Sequence, residues 1–392
     1  MRHFLAVNLL MLCLFPPALQ AGESGAIALV GAEATREGRP LLWKNRDSDN
    51  RECEVAYFRG ARYDFIGVIN RNDTARVWMG LNTAGFALVH AQAWDADSAK
   101  TARVGALIKE ALGFCGRAQE LGRLLALHAE TSDCFPAAFA CLDAFGGETL
   151  FEMGDKSLVR ITPWDSSAAK PGFLVRSDFT LTGGAGTPQG AWRYQRAHQR
   201  LRAAAPAHQL DVPWLIKRVA RDLASEEIDP WPLPFAGRLG DAPRGFIPTR
   251  SSLNGHRTVT CAVIQGVRPG ENPRLATMWI IPGEPVCGIA LPLWPASGEI
   301  PEAFDGKEGS ELNQTLTRIR SRFYPKKEWP YHLNTEALTR GRRSWFDLVT
   351  TFEHEIETET AAALQRWRRS GVAPREMAEL QKKFSRAVLR AL

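Results

Sequence analysis

The sequence lacks a run of about 20 apolar residues, an internal repeat of roughly 20 to 50 residues, and a long linker rich in glycine, serine or proline. These absences argue against a membrane-spanning helix, a repeat protein and separate domains. The balance of 45% hydrophobic and 23% charged residues is that of a globular protein with a sizeable core. We therefore expect a single domain.

Motifs for metals and cofactors are also missing. No C-x-x-C spacing occurs, and the segment FEHEIETE (352–359) lacks the second histidine of a zinc helix. The segment GESG (22–25) lacks the spacing of a G-x-S-x-G nucleophile elbow, and GGAG (183–186) is a loop without a phosphate-binding context. No cofactor and no metal ion is predicted.

Residues 1–21 have the pattern of a secretory signal peptide. A basic start precedes an apolar run from Phe4 to Phe15, and small residues lie near Ala21. The run is too short for a membrane anchor, and the bulky residues before Cys13 disfavour a lipoprotein. We expect cleavage after Ala21, which leaves an exported chain of residues 22–392, either periplasmic or secreted.

Cysteines and charges fit export but indicate no partner. The sequence has 7 cysteines, and loss of Cys13 leaves six, an even number that would allow disulfides of unreadable pairing in an oxidising compartment. The net charge of +6 is spread along the chain, with basic clusters at 341–345, 366–369 and 381–386 that are typical of solvated helix faces. Nucleic acid is not an expected partner.

The hydrophobic pattern predicts alternating sheet and helix segments. Two short apolar runs, 26–31 and 41–46, flank the turn REGRP and predict a hairpin. The remaining segments are predicted as strands at 64–70, 76–81, 85–92, FACLDAF, ETLFEM, 173–179, TVTCAVIQGV and ATMWII, and as helices at 103–129 (a pair), 192–204, 212–224 and from about 346 onward. This order is an α+β arrangement of strand layers between helical layers.

Several segments, taken in order, resemble the N-terminal-nucleophile hydrolases. They are GAIALVGAEATREGRPLLWKNRD, VWMGLNTAGFALVHAQAW, CLDAFGGETLFEM, FLVRSDFTLTGG with RYQRA, and IPTRSS through GIALPLW. The resemblance covers most of residues 24–300 and is to the linear-amide group, which includes choloylglycine hydrolases and acyl-CoA:6-aminopenicillanic acid acyltransferases. It implies a four-layer αββα fold and attack on the C–N bond of an acylated small molecule, with release to water or an amine.

The usual nucleophile of that family is absent. In the family the mature chain begins with a cysteine whose own α-amine accepts the thiol proton. The resemblance places Glu23 at that position and Ser24 one residue later. Exposing Ser24 requires cleavage after Glu23, by trimming or self-cleavage. Two alternatives therefore stay open: Ser24 is the nucleophile, or the chain has kept the fold and lost catalysis.

The resemblance also implies further site residues. Asp47 corresponds to the carboxylate that orients the terminus, and Lys44 replaces the family's arginine. His90 and Gln92 fall near one expected oxyanion asparagine, and Asp178 replaces the other, where a carboxylate would repel an oxyanion. The alternative is that His90 has no catalytic role and is a half-buried histidine of a strand.

The family's later basic residue corresponds to Arg250 or Arg257, and we favour Arg257. An amide hydrolase or acyltransferase would act on a small acylated amide or amine. The alternative is an inactive relative that uses the same cleft to bind an acylated ligand or a partner protein. The missing cysteine and Asp178 favour the inactive relative, whereas Lys44 and Asp47 favour retained chemistry.

Overall fold

The computed structural model describes residues 23–92, 98–130, 136–154, 157–162, 172–179, 190–341 and 344–392. The predictions for residues 1–21, for Cys134 and for GGAG (183–186) lie outside these ranges.

The predicted hairpin is the centre of a six-stranded antiparallel sheet. Its two strands, Ser24–Val30 (β1) and Leu41–Asp47 (β2), pair along their whole length. The sheet continues on the β2 side with Thr258–Gln265 (β12) and on the β1 side with Phe173–Arg176 (β10). In spatial order the strands are Phe173–Arg176 (β10), Ser24–Val30 (β1), Leu41–Asp47 (β2), Thr258–Gln265 (β12), Thr277–Ile281 (β13) and Leu291–Leu293 (β14). Both faces of β1 and β2 are buried, because the second sheet packs on one side and helices pack on the other.

A second large sheet has seven antiparallel strands that follow one another along the chain. They are Cys53–Phe58 (β3), Phe65–Asn70 (β4), Met79–Asn82 (β5), Ala87–Gln92 (β6), Ala137–Leu142 (β7), Glu148–Gly154 (β8) and Ser157–Ile161 (β9). Short connections join most of these strands, since hairpins place sequential strands side by side. The exception is the connection from β6 to β7, which contains two helices between residues 98 and 130. A separate ribbon pairs Phe246–Pro248 (β11) with His332–Asn334 (β15).

Helices cover the outer faces of both sheets. The helices are Ser98–Phe114 (α1), Ala118–Glu130 (α2), Ala191–Ala204 (α3), Val212–Leu215 (α4), Glu311–Phe323 (α5), Thr335–Thr339 (α6), Trp345–Ser370 (α7) and Pro374–Ala391 (α8). A π-helical segment, Ile216–Ala220, continues α4. None of the helices among the described residues is long and apolar enough to cross a bilayer.

Two of the three hydrophobic clusters among the described residues define the layers. Ile108 on α1 and Leu121 on α2 pack with Phe139 of the seven-stranded sheet. The larger core fills the space between the sheets and extends to α3, α4, α7 and α8, where Leu201 and Trp367 are buried. The order helices, sheet, sheet, helices is the predicted αββα arrangement, and this fold prediction is confirmed.

Some elements were not predicted. The strands β3, β9 and β14 are short and carry little periodic signal. The helix α5 was missed although its buried apolar residues recur at helical spacing, at Leu312, Leu316, Ile319 and Phe323. The five described cysteines, other than Cys134, are all buried free thiols. These are Cys53, Cys115, Cys141, Cys261 and Cys287. The disulfides that the even cysteine count allowed therefore do not form among these five.

Candidate active site

The pairing of β1 with β2 places Ser24 directly opposite Asp47. The next residue, Gly25, has a φ of 126°, in the region that favours glycine. A Cβ atom on Gly25 would lie 2.0 Å from the backbone oxygen of Asn45, so a side chain is excluded there. Ser24 consequently begins a central strand with its backbone close against β2.

The segment Lys-Asn-Arg-Asp, residues 44–47, sends alternate side chains to opposite faces of β2. Lys44 and Arg46 contact residues on the side of the seven-stranded sheet. Asn45 and Asp47 contact residues on the side of the helices. The strand thus contributes to two polar clusters.

The cluster on the helix side joins two carboxylates through one arginine. Arg193 of α3 forms ion pairs with Asp47 and with Asp178, the latter at 3.3 Å. Thr258 donates from its hydroxyl to Asp47 at 2.7 Å, and the backbone N–H of Gly25 donates to Asp178 at 2.9 Å. Burial opposes the charge of Arg193, but attraction by the two carboxylates outweighs it and raises its pKa. All of these side chains are buried, so the cluster is rigidly held.

Ser24 lies at the edge of this cluster. Its side chain is only 3% exposed, and its hydroxyl makes no hydrogen bond to any described residue. A buried hydroxyl normally has a partner, and lacking one is a cost that functional sites often carry. In the uncut chain Ser24 therefore lies opposite Asp47, and no side chain among the described residues accepts a hydrogen bond from its hydroxyl.

Glu23 takes part in the other cluster. Its carboxylate accepts from Nε of Arg46 at 2.6 Å, from a second guanidinium nitrogen of Arg46, and from the Ser48 hydroxyl at 2.9 Å. Glu23 is 6% exposed and Arg46 is fully buried. The residue that the resemblance places at the nucleophile position is thus held in a buried two-point ion pair.

Lys44 and His90 are also brought together. Lys44 Nζ donates to the carbonyl oxygen of His90 at 2.6 Å and lies 3.2 Å from His90 Nδ1. Desolvation by complete burial lowers the pKa of Lys44 to about 7, against the attraction of Glu23. Burial, and then the charge of Lys44, lowers the pKa of His90 well below its ordinary value. His90 is therefore neutral at pH 7.

Replacing Lys44 should flatten the pH dependence of stability. The pKa of Lys44 falls from 10.5 to about 7 on folding, so the unfolded chain binds more protons between these values and stability rises with pH across that range. The contribution is at most about 1.4 kcal/mol per pH unit. We expect Lys44→Met to remove it, as measured by urea unfolding near pH 7, 8 and 9.

The matched control for this prediction is Lys382→Met. Lys382 pairs with Glu299 at 2.6 Å in a half-exposed ion pair, so its loss should leave the slope unchanged. Equal slopes for wild type and Lys44→Met would contradict the assignment of Lys44 as a buried amine that loses its proton near neutrality.

The side chains of the remaining predicted site residues make other contacts, although the carbonyl oxygen of Arg250 accepts from Arg193 at 3.4 Å. Gln92 donates to the Thr101 hydroxyl on α1 at 3.1 Å, so it contacts the outer helix layer. Arg257 pairs with Asp49 at 3.0 Å, and the guanidinium of Arg250 lies 4.4 Å from the ring centre of Tyr331. Arg193 is the arginine that forms ion pairs with both Asp47 and Asp178. Nothing in the sequence distinguished it from other arginines of the RYQRA segment and its surroundings.

Asn45 has a structural role within the KNRD segment. Its side-chain amide donates to the carbonyl oxygens of Ala220 and Leu253 at 2.8 and 2.9 Å. These bonds tie β2 to the segment that follows α4 and to the loop before β12. They also fix the face on which Asp47 lies. Within the described ranges, no group of three or more His, Cys, Asp or Glu side chains could hold a metal ion.

Comparison with known proteins finds structural likeness only. No protein-family model and no curated protein matches the sequence. Similar solved structures include an N-acylethanolamine-hydrolyzing acid amidase ortholog from Caenorhabditis elegans, with 12% identity, a TM-score of 0.38, and coverage of 61% of this chain and 92% of that one.

Two others are bacterial. A penicillin V acylase from Agrobacterium tumefaciens has 12% identity and a TM-score of 0.40, covering 69% of this chain and 86% of that one. A conjugated bile acid hydrolase from Clostridium perfringens has 11% identity and a TM-score of 0.37, covering 66% and 89%. The two sheets of this chain, packed between two helical layers, form an αββα fold.

Proposed function

We propose that this protein is an amide hydrolase of the N-terminal-nucleophile type, with Ser24 as its nucleophile once the chain begins at that residue. The observation that carries the proposal is the position of Ser24. It begins a central strand opposite Asp47, and its buried hydroxyl has no partner among the described residues. Among the described residues at the start of β1, Ser24 is the one that carries a hydroxyl and would become the N-terminal residue after cleavage before it.

Cleavage before Ser24 would supply the missing base. A free α-amine has a pKa of about 7.7 to 8.0 and is partly unprotonated at neutral pH. It can accept the proton of the Ser24 hydroxyl as the oxygen attacks the amide carbon. An ester on Ser24 forms, the amine leaves with that proton, and water then hydrolyses the ester.

The net charge of the cluster can be balanced by a new terminal amine at Ser24. Asp47 and Asp178 contribute two negative charges and Arg193 one positive charge, so the three groups together carry a net charge of −1. A protonated α-amine at Ser24 would bring the cluster to neutrality. Pairing with Arg193 also offsets the charge of Asp178, which lessens its repulsion of an oxyanion.

A second candidate function is an inactive relative that binds an acylated ligand or a partner protein. The buried ion pair of Glu23 with Arg46 favours it, because this pair anchors the residue that must be removed before Ser24 becomes the terminus. The two candidate functions predict different activities for a chain that begins at Ser24. The hydrolase gains activity on losing Glu23, whereas the inactive relative does not.

The direct test compares two proteins: one beginning at Gly22 and one beginning at Ser24. Both are assayed with a panel of acyl p-nitroanilides. The proposal expects turnover from the second protein and none from the first as long as its intact mass shows that it retains Glu23. Equal rates, or no turnover by either protein, would contradict it.

Export and processing are part of the same proposal. Residues 1–21 would be removed as a signal peptide, and Gly22 and Glu23 would then be lost by trimming or self-cleavage. We expect the intact mass of the exported protein to correspond to residues 24–392. A mature protein that retains Gly22 and Glu23 and still hydrolyses amides would contradict Ser24 as the N-terminal nucleophile.

A further inference from the structure

The Glu23 carboxylate lies against Arg46 and Ser48, which together form a site with the features of an anion-binding site, called the anion-binding seat below. Two guanidinium nitrogens of Arg46 and the hydroxyl of Ser48 all donate to this one carboxylate. Such a two-point contact between arginine and carboxylate is among the strongest and most directional polar contacts in proteins. The site is enclosed, because Arg46 is fully buried and Ser48 is 6% exposed.

Arg46 is held in place by groups other than Glu23. It donates to the side-chain oxygen of Asn70 at 2.5 Å, and its guanidinium carbon lies 5.3 Å from the centre of the Trp78 ring. Its remaining nitrogen, Nη1, is buried and makes no hydrogen bond to a described residue. Among the described residues that contact Arg46, Glu23 supplies the only carboxylate. The loss of Glu23 would therefore leave a buried cation that requires another anion.

The position of this seat relative to Ser24 is fixed by the chain itself. The carbonyl carbon of Glu23 is bonded to the nitrogen of Ser24 in the uncut protein. After cleavage, a substrate must bring its own acyl carbon to the same place, beside the Ser24 amine and hydroxyl. The side chain of Glu23 therefore marks the path of the acyl group, and its carboxylate marks the end of that path.

We propose that Arg46 and Ser48, with Arg46 held in place by Asn70, form an acyl subsite that selects a five-carbon dicarboxylic acyl group, glutaryl or α-glutamyl. In glutamate, Cα, Cβ and Cγ separate the carbonyl carbon from the carboxylate carbon, and glutaryl reproduces that separation. The substrate assignment rests on the proposed hydrolase function. The anion-binding seat does not, and it is testable without turnover.

The seat is tested by chemical rescue of Glu23→Gly. Propionate restores the atoms that this substitution removes. We expect propionate to raise the midpoint unfolding temperature of the variant by roughly 2 to 4 °C more than it does for wild type, and neutral propionamide to give no such rise. Should Glu23→Gly fail to fold, the chain beginning at Ser24 lacks Glu23 altogether and gives the same measurement.

The control for rescue is Glu52→Gly. Glu52 pairs with Arg71 at 3.2 Å but is 58% exposed, so propionate should not stabilise that variant specifically. An equal response to propionate and propionamide, or no response in either protein that lacks Glu23, would overturn the anion-binding seat.

Selectivity is tested on the chain that begins at Ser24. We expect kcat/KM for glutaryl or α-glutamyl p-nitroanilide to exceed that for pentanoyl p-nitroanilide by at least about 10²-fold, because a buried polar site rejects an analogue lacking its partner. Arg46→Lys, which keeps the charge but not the two-point contact, should reduce this ratio.

The two assays separate the two claims. Hydrolysis of both acyl groups at equal rates would overturn the subsite and leave the hydrolase intact. Propionate rescue without any amide hydrolysis would overturn the hydrolase and leave the anion-binding seat intact.

Discussion

A chain that begins at Ser24 is expected to lose its amide hydrolysis when Ser24 is replaced by alanine. The loss should be roughly 10⁴- to 10⁶-fold in kcat, the range found when a catalytic serine is removed and only binding and charge stabilisation remain. The physical reason is that alanine keeps the terminal amine and the strand but removes the atom that attacks. The measurement is the initial rate of p-nitroaniline release.

Two further variants make this result specific. Ser24→Cys should retain activity, because a thiol at the same place is ionised more readily than a hydroxyl. Ser321→Ala changes an exposed serine on α5 that bonds only to the preceding turn, at Arg318, and should leave the rate unchanged. Hydrolysis that persists in Ser24→Ala would show that another residue attacks the amide.

Replacing Arg46 by methionine is expected to destabilise the protein by about 3 to 5 kcal/mol, as measured by denaturant unfolding of the full chain. This is the usual cost of breaking a buried ion pair from one side, since it leaves an uncompensated charge. The Glu23 carboxylate would then keep only the Ser48 hydroxyl among its present partners.

The interpretation of this variant depends on two comparisons. In Arg59→Met a half-exposed pair with Asp64 is lost, and the expected cost is below about 1 kcal/mol. In the double variant Glu23→Leu, Arg46→Met, both charges are gone and most of the loss should be recovered. A single Arg46→Met change that costs no more than Arg59→Met would contradict the buried pair.

Much of the fold could be predicted because its signal is local. The hairpin of β1 and β2 lies between apolar runs that flank a clear turn, and strand alternation then determines which face Lys44 and Asp47 occupy. The helix pair before β7 follows from apolar residues at helical spacing. The helix α5 has the same kind of local signal, with Leu312, Leu316, Ile319 and Phe323 at helical spacing, and it was nevertheless missed.

The site was less predictable because its contacts are distant in sequence. Arg193 reaches Asp47 across 146 residues, and no sequence pattern distinguishes it from other helical arginines. From the sequence, Glu23 was interpreted only as the residue at the position of the absent cysteine. Its ion pair with Arg46 could not be predicted, because it depends on where β2 lies. His90 and Gln92 share a strand face as expected. Gln92 donates to Thr101 because α1 covers that face.

The most direct measurement is to identify the atom that reacts with an acylating probe. A β-lactone bearing a carboxylate opens when a nucleophile attacks its carbonyl, and it leaves an acyl ester that peptide mapping by mass spectrometry can locate. The account predicts one adduct, on Ser24, in the chain that begins at Ser24, and none in the chain that keeps Gly22 and Glu23. An adduct on another residue such as Lys44, or no adduct in either chain, would contradict Ser24 as the nucleophile.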